Sequence, residues 1–210
     1  MEIPTIDFGE LDGENRSKIL ALLQDACEKW GCFQIENHGI DKVLMEKVEN
    51  YVNSHYEKNM KASFYESEIA NRLSTGCASD VDWETTFFVS HYPKSNIAEI
   101  PNLSEDLCNA LEEYIAQLIK LAEKLLELMW RYWSNGWYKS VLHRVMPKKT
   151  GNRLSIATFY NPATDAIISP APKVLHPDQF TFGDYLKLYA TIKFLEKDLR
   201  FEIGILEEDD

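Results

Sequence analysis

The chain has 210 residues, of which 45% are apolar, 27% charged and 12% aromatic, and its net charge is −12. That length and balance fit one sizeable globular domain or two small ones, and exclude a disordered chain. So acidic a surface repels phosphate backbones and anionic lipid, so neither nucleic acid nor a membrane is an expected partner.

The N-terminus, Met1-Glu-Ile-Pro-Thr-Ile-Asp-Phe8, has neither a basic start nor an apolar run, so no signal peptide is expected. No window approaches a membrane span. Within this segment Ile3–Phe8 reads as a short strand, and Pro4 marks it as an edge. A helix follows over about residues 13–30, with Ile19, Leu22, Leu23, Ala26 and Trp30 at helical spacing, and Gly31 stops it. Cys32–Glu36 alternates as a strand, and Asn37-His38-Gly39 turns the chain. Asp41 is the expected N-cap of a second helix reaching about Met60, with Leu44, Val48, Tyr51 and His55 on one stripe. Residues 61–80 read as a polar loop and Trp83–Val89 as a strand. Four scattered cysteines, Cys27, Cys32, Cys77 and Cys108, form no Cys-x-x-Cys pair and suggest reduced thiols of a cytoplasmic protein.

The strongest pattern lies at about 105–129. There Leu107, Leu111, Tyr114, Leu118, Leu121, Leu125 and Leu128 alternate spacings of four and three. The expected role is a core-facing helix, with self-association through the same stripe as the alternative. Trp130–Trp137 then packs three tryptophans without any period. Two strand candidates follow, 138–146 and 153–160, joined by Pro147–Asn152 as a hairpin turn. A Pro- and Ala-rich loop covers 161–179, a last helix about 181–196, and Glu207–Asp210 reads as a solvated acidic tail.

The chemistry concentrates in the hairpin. Alternation along a strand puts Val141, His143 and Val145 on one face, and Arg153, Ser155, Ala157 and Phe159 on one face of its partner. A guanidinium grips a carboxylate with two prongs and a serine hydroxyl adds a donor, while a neutral imidazole can bind ferrous iron. The plain alternative is a structural strand histidine beside a common dipeptide spacing.

These residues resemble the plant 1-aminocyclopropane-1-carboxylate oxidase family of the iron(II)/2-oxoglutarate-dependent oxygenase superfamily. The motifs are Ile3–Phe8, Trp30-Gly-Cys-Phe-Gln-Ile-Glu-Asn-His-Gly39, Asp80–Phe87, Asn135–Val145, Arg153–Pro162, Asp184–Tyr189 and Arg200-Phe-Glu202. The resemblance implies an α+β fold in which N-terminal helices and short strands lead into a double-stranded β-helix, or jelly roll. It implies Fe(II), ascorbate as co-substrate and bicarbonate or CO2 as activator, and conversion of the cyclopropane amino acid and O2 to ethylene, cyanide and CO2. By position, His143 is an iron ligand and Arg153 and Ser155 bind the substrate carboxylate. Lys139, Arg144, Arg200 and Glu202 match catalytic positions around the pocket.

One departure changes the expectation. Against the family pattern, roughly 90 residues are missing between Met129 and Ser134, and that block carries the family's His-x-Asp iron pair. The expected organisation is therefore residues 1–129 as the N-terminal region, 130–133 as a junction, and 134–210 as a remnant of the jelly roll with its C-terminal helix. The chain is expected to be inactive. The alternatives are a non-catalytic splice variant, degenerate paralogue or gene-model fragment serving as an interaction module, or a small-acid binder that keeps Arg153 and Ser155. His176-Pro177-Asp178 and His55-Tyr56-Glu57 have or approach the spacing of the missing pair. The first follows His143 in the wrong order, and the second would point two ways from a helix. His38 reads as a satisfied turn histidine, and His91 as a loop residue.

Overall fold

The structure, a computed structural model, describes residues 3–66, 88–130, 154–168 and 180–191. Among these it is mixed, with helices dominant and four short strands. Strand β1 (Thr5–Asp7) pairs in parallel with β2 (Gln34–Glu36), in the register Thr5↔Gln34, Ile6↔Ile35 and Asp7↔Glu36. Parallel pairing needs a crossover, and helix α1 (Arg16–Lys29) supplies it. At the far end of the pair the Asp7 carboxylate accepts from Gly9 N at 2.8 Å and from Asn37 Nδ2 at 2.7 Å, tying the two strand exits together. Gly31, at φ 69°, ends α1 as its position suggests, and its amide reaches back to the Ala26 carbonyl at 2.9 Å.

Helix α2 (Lys42–His55) starts where the sequence places it. The Asp41 side chain accepts from Val43 N at 2.8 Å. Asp41→Ala should therefore cost about 1 kcal/mol of stability, read as a lower midpoint in urea; an unchanged midpoint would remove the cap from the account. Beyond His55 the chain does not break. It widens into a π-turn over Tyr56–Met60 and tightens again into α3 (Lys61–Tyr65). This corrects the polar loop expected from residue 61. Lys61 and Ala62 are good helix formers, and Lys61 pairs with Glu57 one turn back at 2.7 Å. Residues 67–87 lie outside the described set, and with them most of the expected strand Trp83–Val89. Phe88 and Val89, its described end, carry no strand.

Helix α4 (Glu105–Trp130) organises the core. At 1.5 Å per residue its 26 residues run about 39 Å. One end packs Leu107, Ala110 and Leu111 against Leu44, Val48 and Val52 of α2 and against Ile97. The other end places Leu128 among Ile6, Phe8, Leu11, Ile19, Leu23, Ala26 and Cys27, with Leu121 and Leu125 at the margin. The leucine stripe is thus core-facing, as its period suggests. Burial pushes the Cys27 thiol up from its ordinary value, with Glu28 adding to the effect, which keeps it a protonated core thiol. No helix among the described residues is long and apolar enough to cross a membrane.

A last unit is local. Strand β3 (Ile167–Ile168) pairs antiparallel with β4 (Phe180–Thr181), which runs into α5 (Phe182–Thr191). Thr181 Oγ1 accepts from Asp184 N at 3.1 Å and donates to the Asp184 carboxylate at 2.7 Å, closing the helix start. Gly183 lets the backbone approach Thr164, whose carbonyl oxygen would lie 2.9 Å from an added Cβ. Residues 167–168 were expected to lie in a loop, so this two-residue ladder is a correction. The described part of 161–179 is otherwise irregular, and residues 192–196 of the expected last helix lie outside the described set.

Candidate functional site

Of the residues singled out for chemistry, Ser155 is described. Lys139, His143, Arg144, Arg153, Arg200 and Glu202 lie outside the described residues, as do His176 and Asp178. The expected strand 153–160 is a correction where it can be seen, since residues 154–160 carry no regular element. A strand exists through its ladder, and the described residues provide no backbone partner for this stretch. Its first strand candidate, 138–146, falls outside the described set. Leu154 nevertheless packs against the cluster formed by α2 and α4, while Ser155, next to it, is exposed. The anchoring leucine thus leaves the neighbouring hydroxyl in solvent, available to a polar ligand.

Three of the five histidines are described. His38 Nδ1 accepts from Ile40 N at 3.1 Å, so it is a satisfied turn histidine and its ring hydrogen resides on Nε2. His55 is buried at 8% exposure, with Asn59 Nδ2 3.2 Å from its Nδ1. Its sequence neighbour Glu57 is exposed and paired with Lys61, so the two do not converge. His91 stands edge-on to Tyr92 at 5.0 Å, and its Nδ1 is buried without a hydrogen-bond partner among the described residues. The described residues contain no group of three His, Cys, Asp or Glu side chains that could hold a metal ion. A non-haem ferrous centre needs two imidazoles and a carboxylate on one face, and the described donors do not fit it.

A second feature emerges from the packing. The turn at His38–Asp41 and the flank of α4 at Gln117, Lys120, Leu121 and Lys124 enclose an open cleft of about 450 Å³. Gln117 Oε1 accepts from Asp41 N at 2.8 Å and joins its two walls. Neither lysine belongs to a motif. In the sequence they are marked by the three-then-four spacing of Gln117, Lys120 and Lys124, which puts them on one helical flank.

Residues 3–106 match the family of the non-haem dioxygenase in morphine synthesis N-terminal region, and residues 124–162 match the 2OG-Fe(II) oxygenase superfamily. Among curated proteins, the chain is 43% identical to 1-aminocyclopropane-1-carboxylate oxidase 1 of Arabidopsis thaliana, covering 96% of this chain and 94% of that protein. It is 32% identical to 1-aminocyclopropane-1-carboxylate oxidase 3 of the same plant, covering 96% and 92%. It is also 32% identical to 1-aminocyclopropane-1-carboxylate oxidase 1 of Malus domestica, covering 95% of each. The first alignment spans 291 positions against 210 residues, so at least 81 (291 less 210) positions of that relative have no counterpart here.

Proposed function

Because the chain belongs to the 1-aminocyclopropane-1-carboxylate oxidase family of the 2OG-Fe(II) oxygenase superfamily, we propose that it keeps the substrate-carboxylate half of that family's site and lacks the metal half. The family reaction would use Fe(II), ascorbate and O2, with bicarbonate or CO2 as activator, to release ethylene from the cyclopropane amino acid. In this reading Arg153 grips the substrate carboxylate with both guanidinium prongs and Ser155 adds a hydroxyl donor. Lys139, Arg144, Arg200 and Glu202 surround the same pocket. His143 is the one family iron ligand left in this reading.

The observation that carries this reading is the shortfall of at least 81 positions in all, 291 less 210, in the first alignment. In this reading most of it falls between Met129 and Ser134, where the family's His-x-Asp belongs. The described histidines add support, since His38 and His55 already have partners in the fold. Residues 1–129 are then the intact N-terminal region, 130–133 the junction, and 134–210 a jelly-roll remnant ending in a helix, in a cytoplasmic protein. The decisive assay is ethylene release from purified protein supplied with substrate, Fe(II), ascorbate and bicarbonate. Background levels are expected, and turnover abolished by His143→Ala would overturn the proposal.

A second reading, a non-catalytic interaction module, is favoured by large apolar side chains on the surface. Phe159 is 79% exposed, Phe88 73% and Ile167 66%. Side chains of this kind, normally buried, drive association. Light scattering on the purified chain is expected to give a mass above the monomer, and a clean monomer with a cooperative melt would count against it.

A further inference from the structure

The cleft between the His38–Asp41 turn and α4 presents donors almost without free acceptors. Gln117 has spent its carbonyl oxygen on Asp41 N, so its amide NH2 is the end left to bind a ligand. His38 has spent Nδ1 on Ile40 N, so its Nε2–H is likewise a donor. Lys120 lines the cleft and has no ion-pair partner among the described residues. Lys124 lies over the Phe8 ring at 5.9 Å, with Asp12 at 4.0 Å, the outer limit of an ion pair. Asp12 is 85% exposed, so that contact is weak and readily exchanged. The one carboxylate in the lining, Asp41, already accepts from Val43 N as the cap of α2.

Two ammonium groups, an imidazole N–H and an amide NH2 around about 450 Å³ suit a ligand that offers several acceptor oxygens and carries two negative charges. We infer that this cleft binds a small dianionic oxyanion, of which hydrogen phosphate is the simplest. None of the residues that line this cleft belongs to the carboxylate-binding pair of the proposed function, and its occupancy does not depend on turnover. The chain's net charge of −12 repels anions from its surface as a whole. Saturable binding would therefore report local donors rather than bulk attraction.

The test is an NMR titration of the full chain with sodium phosphate, with sodium chloride holding the ionic strength constant, following the His38 ring and the Gln117 side-chain amide. Saturable shifts at both groups are expected. Lys120→Met and Lys124→Met, which keep the apolar stems, should each weaken binding about tenfold, as the loss of one charge-assisted contact predicts. The exposed Lys18→Met and Lys58→Met each remove the same single charge elsewhere and should each leave the affinity unchanged. Shifts that never saturate, cleft variants that bind as the parent does, or an equal loss in either control would each overturn the assignment.

Discussion

Truncating Leu107 to alanine is expected to destabilise the chain by about 2–5 kcal/mol. Leu107 is 1% exposed and sits where α4 meets α2, in contact with the cluster of Leu44, Val48 and Ile97. The lost methyl groups would leave a cavity between two helices that are tied together by the Gln117–Asp41 hydrogen bond and cannot simply close on it. Small domains hold only about 5–15 kcal/mol in total, so urea unfolding followed by circular dichroism should show a large fall in midpoint. Leu126 provides the internal control. It lies on the same helix but is 44% exposed, and Leu126→Ala should change stability by no more than about 0.5 kcal/mol. Equal costs at the two positions would mean that the buried face of α4 has been misassigned. Leu23 belongs to the other cluster, so Leu23→Ala and Leu107→Ala should add to within about 0.5 kcal/mol.

The second large effect concerns the metal. Anaerobic incubation with Fe(II) followed by gel filtration is expected to leave far less than one equivalent of iron on the chain, and His143→Ala should make no difference. The reason is chemical. One imidazole offers a single bond where the family's centre takes three protein ligands, and water and buffer compete for the rest. The described residues supply no replacement cluster. Near-stoichiometric iron that disappears in His143→Ala would mean that two further ligands are present, and His176 with Asp178 would be the pair to substitute next.

The helices were legible where a local device marks them. Asp41 caps α2 because its carboxylate reaches an amide two residues on, and Gly31 ends α1 because it takes a φ of 69° without steric cost. The leucine stripe was legible as core because its period turns Leu107 and Leu111 toward one cluster and Leu121, Leu125 and Leu128 toward the other. Residues 61–65 and 154–160 were misread for opposite reasons. The first looked polar, yet a π-turn passes the helix through, so composition lost to continuity of hydrogen bonding. The second had strand-forming side chains, but a ladder needs a neighbour, and no propensity supplies one.

The candidate chemistry divides along the same line. The family and the proposed roles of Arg153, Ser155 and His143 rest on motifs contiguous in the chain, which any fold would preserve as spacing. The division of α4 between two clusters, the engagement of His38 and His55, and the cleft uniting His38 with Lys120 and Lys124 required the tertiary structure. Those groups are far apart in sequence, and only the packing of the turn against the helix brings their donors to one place.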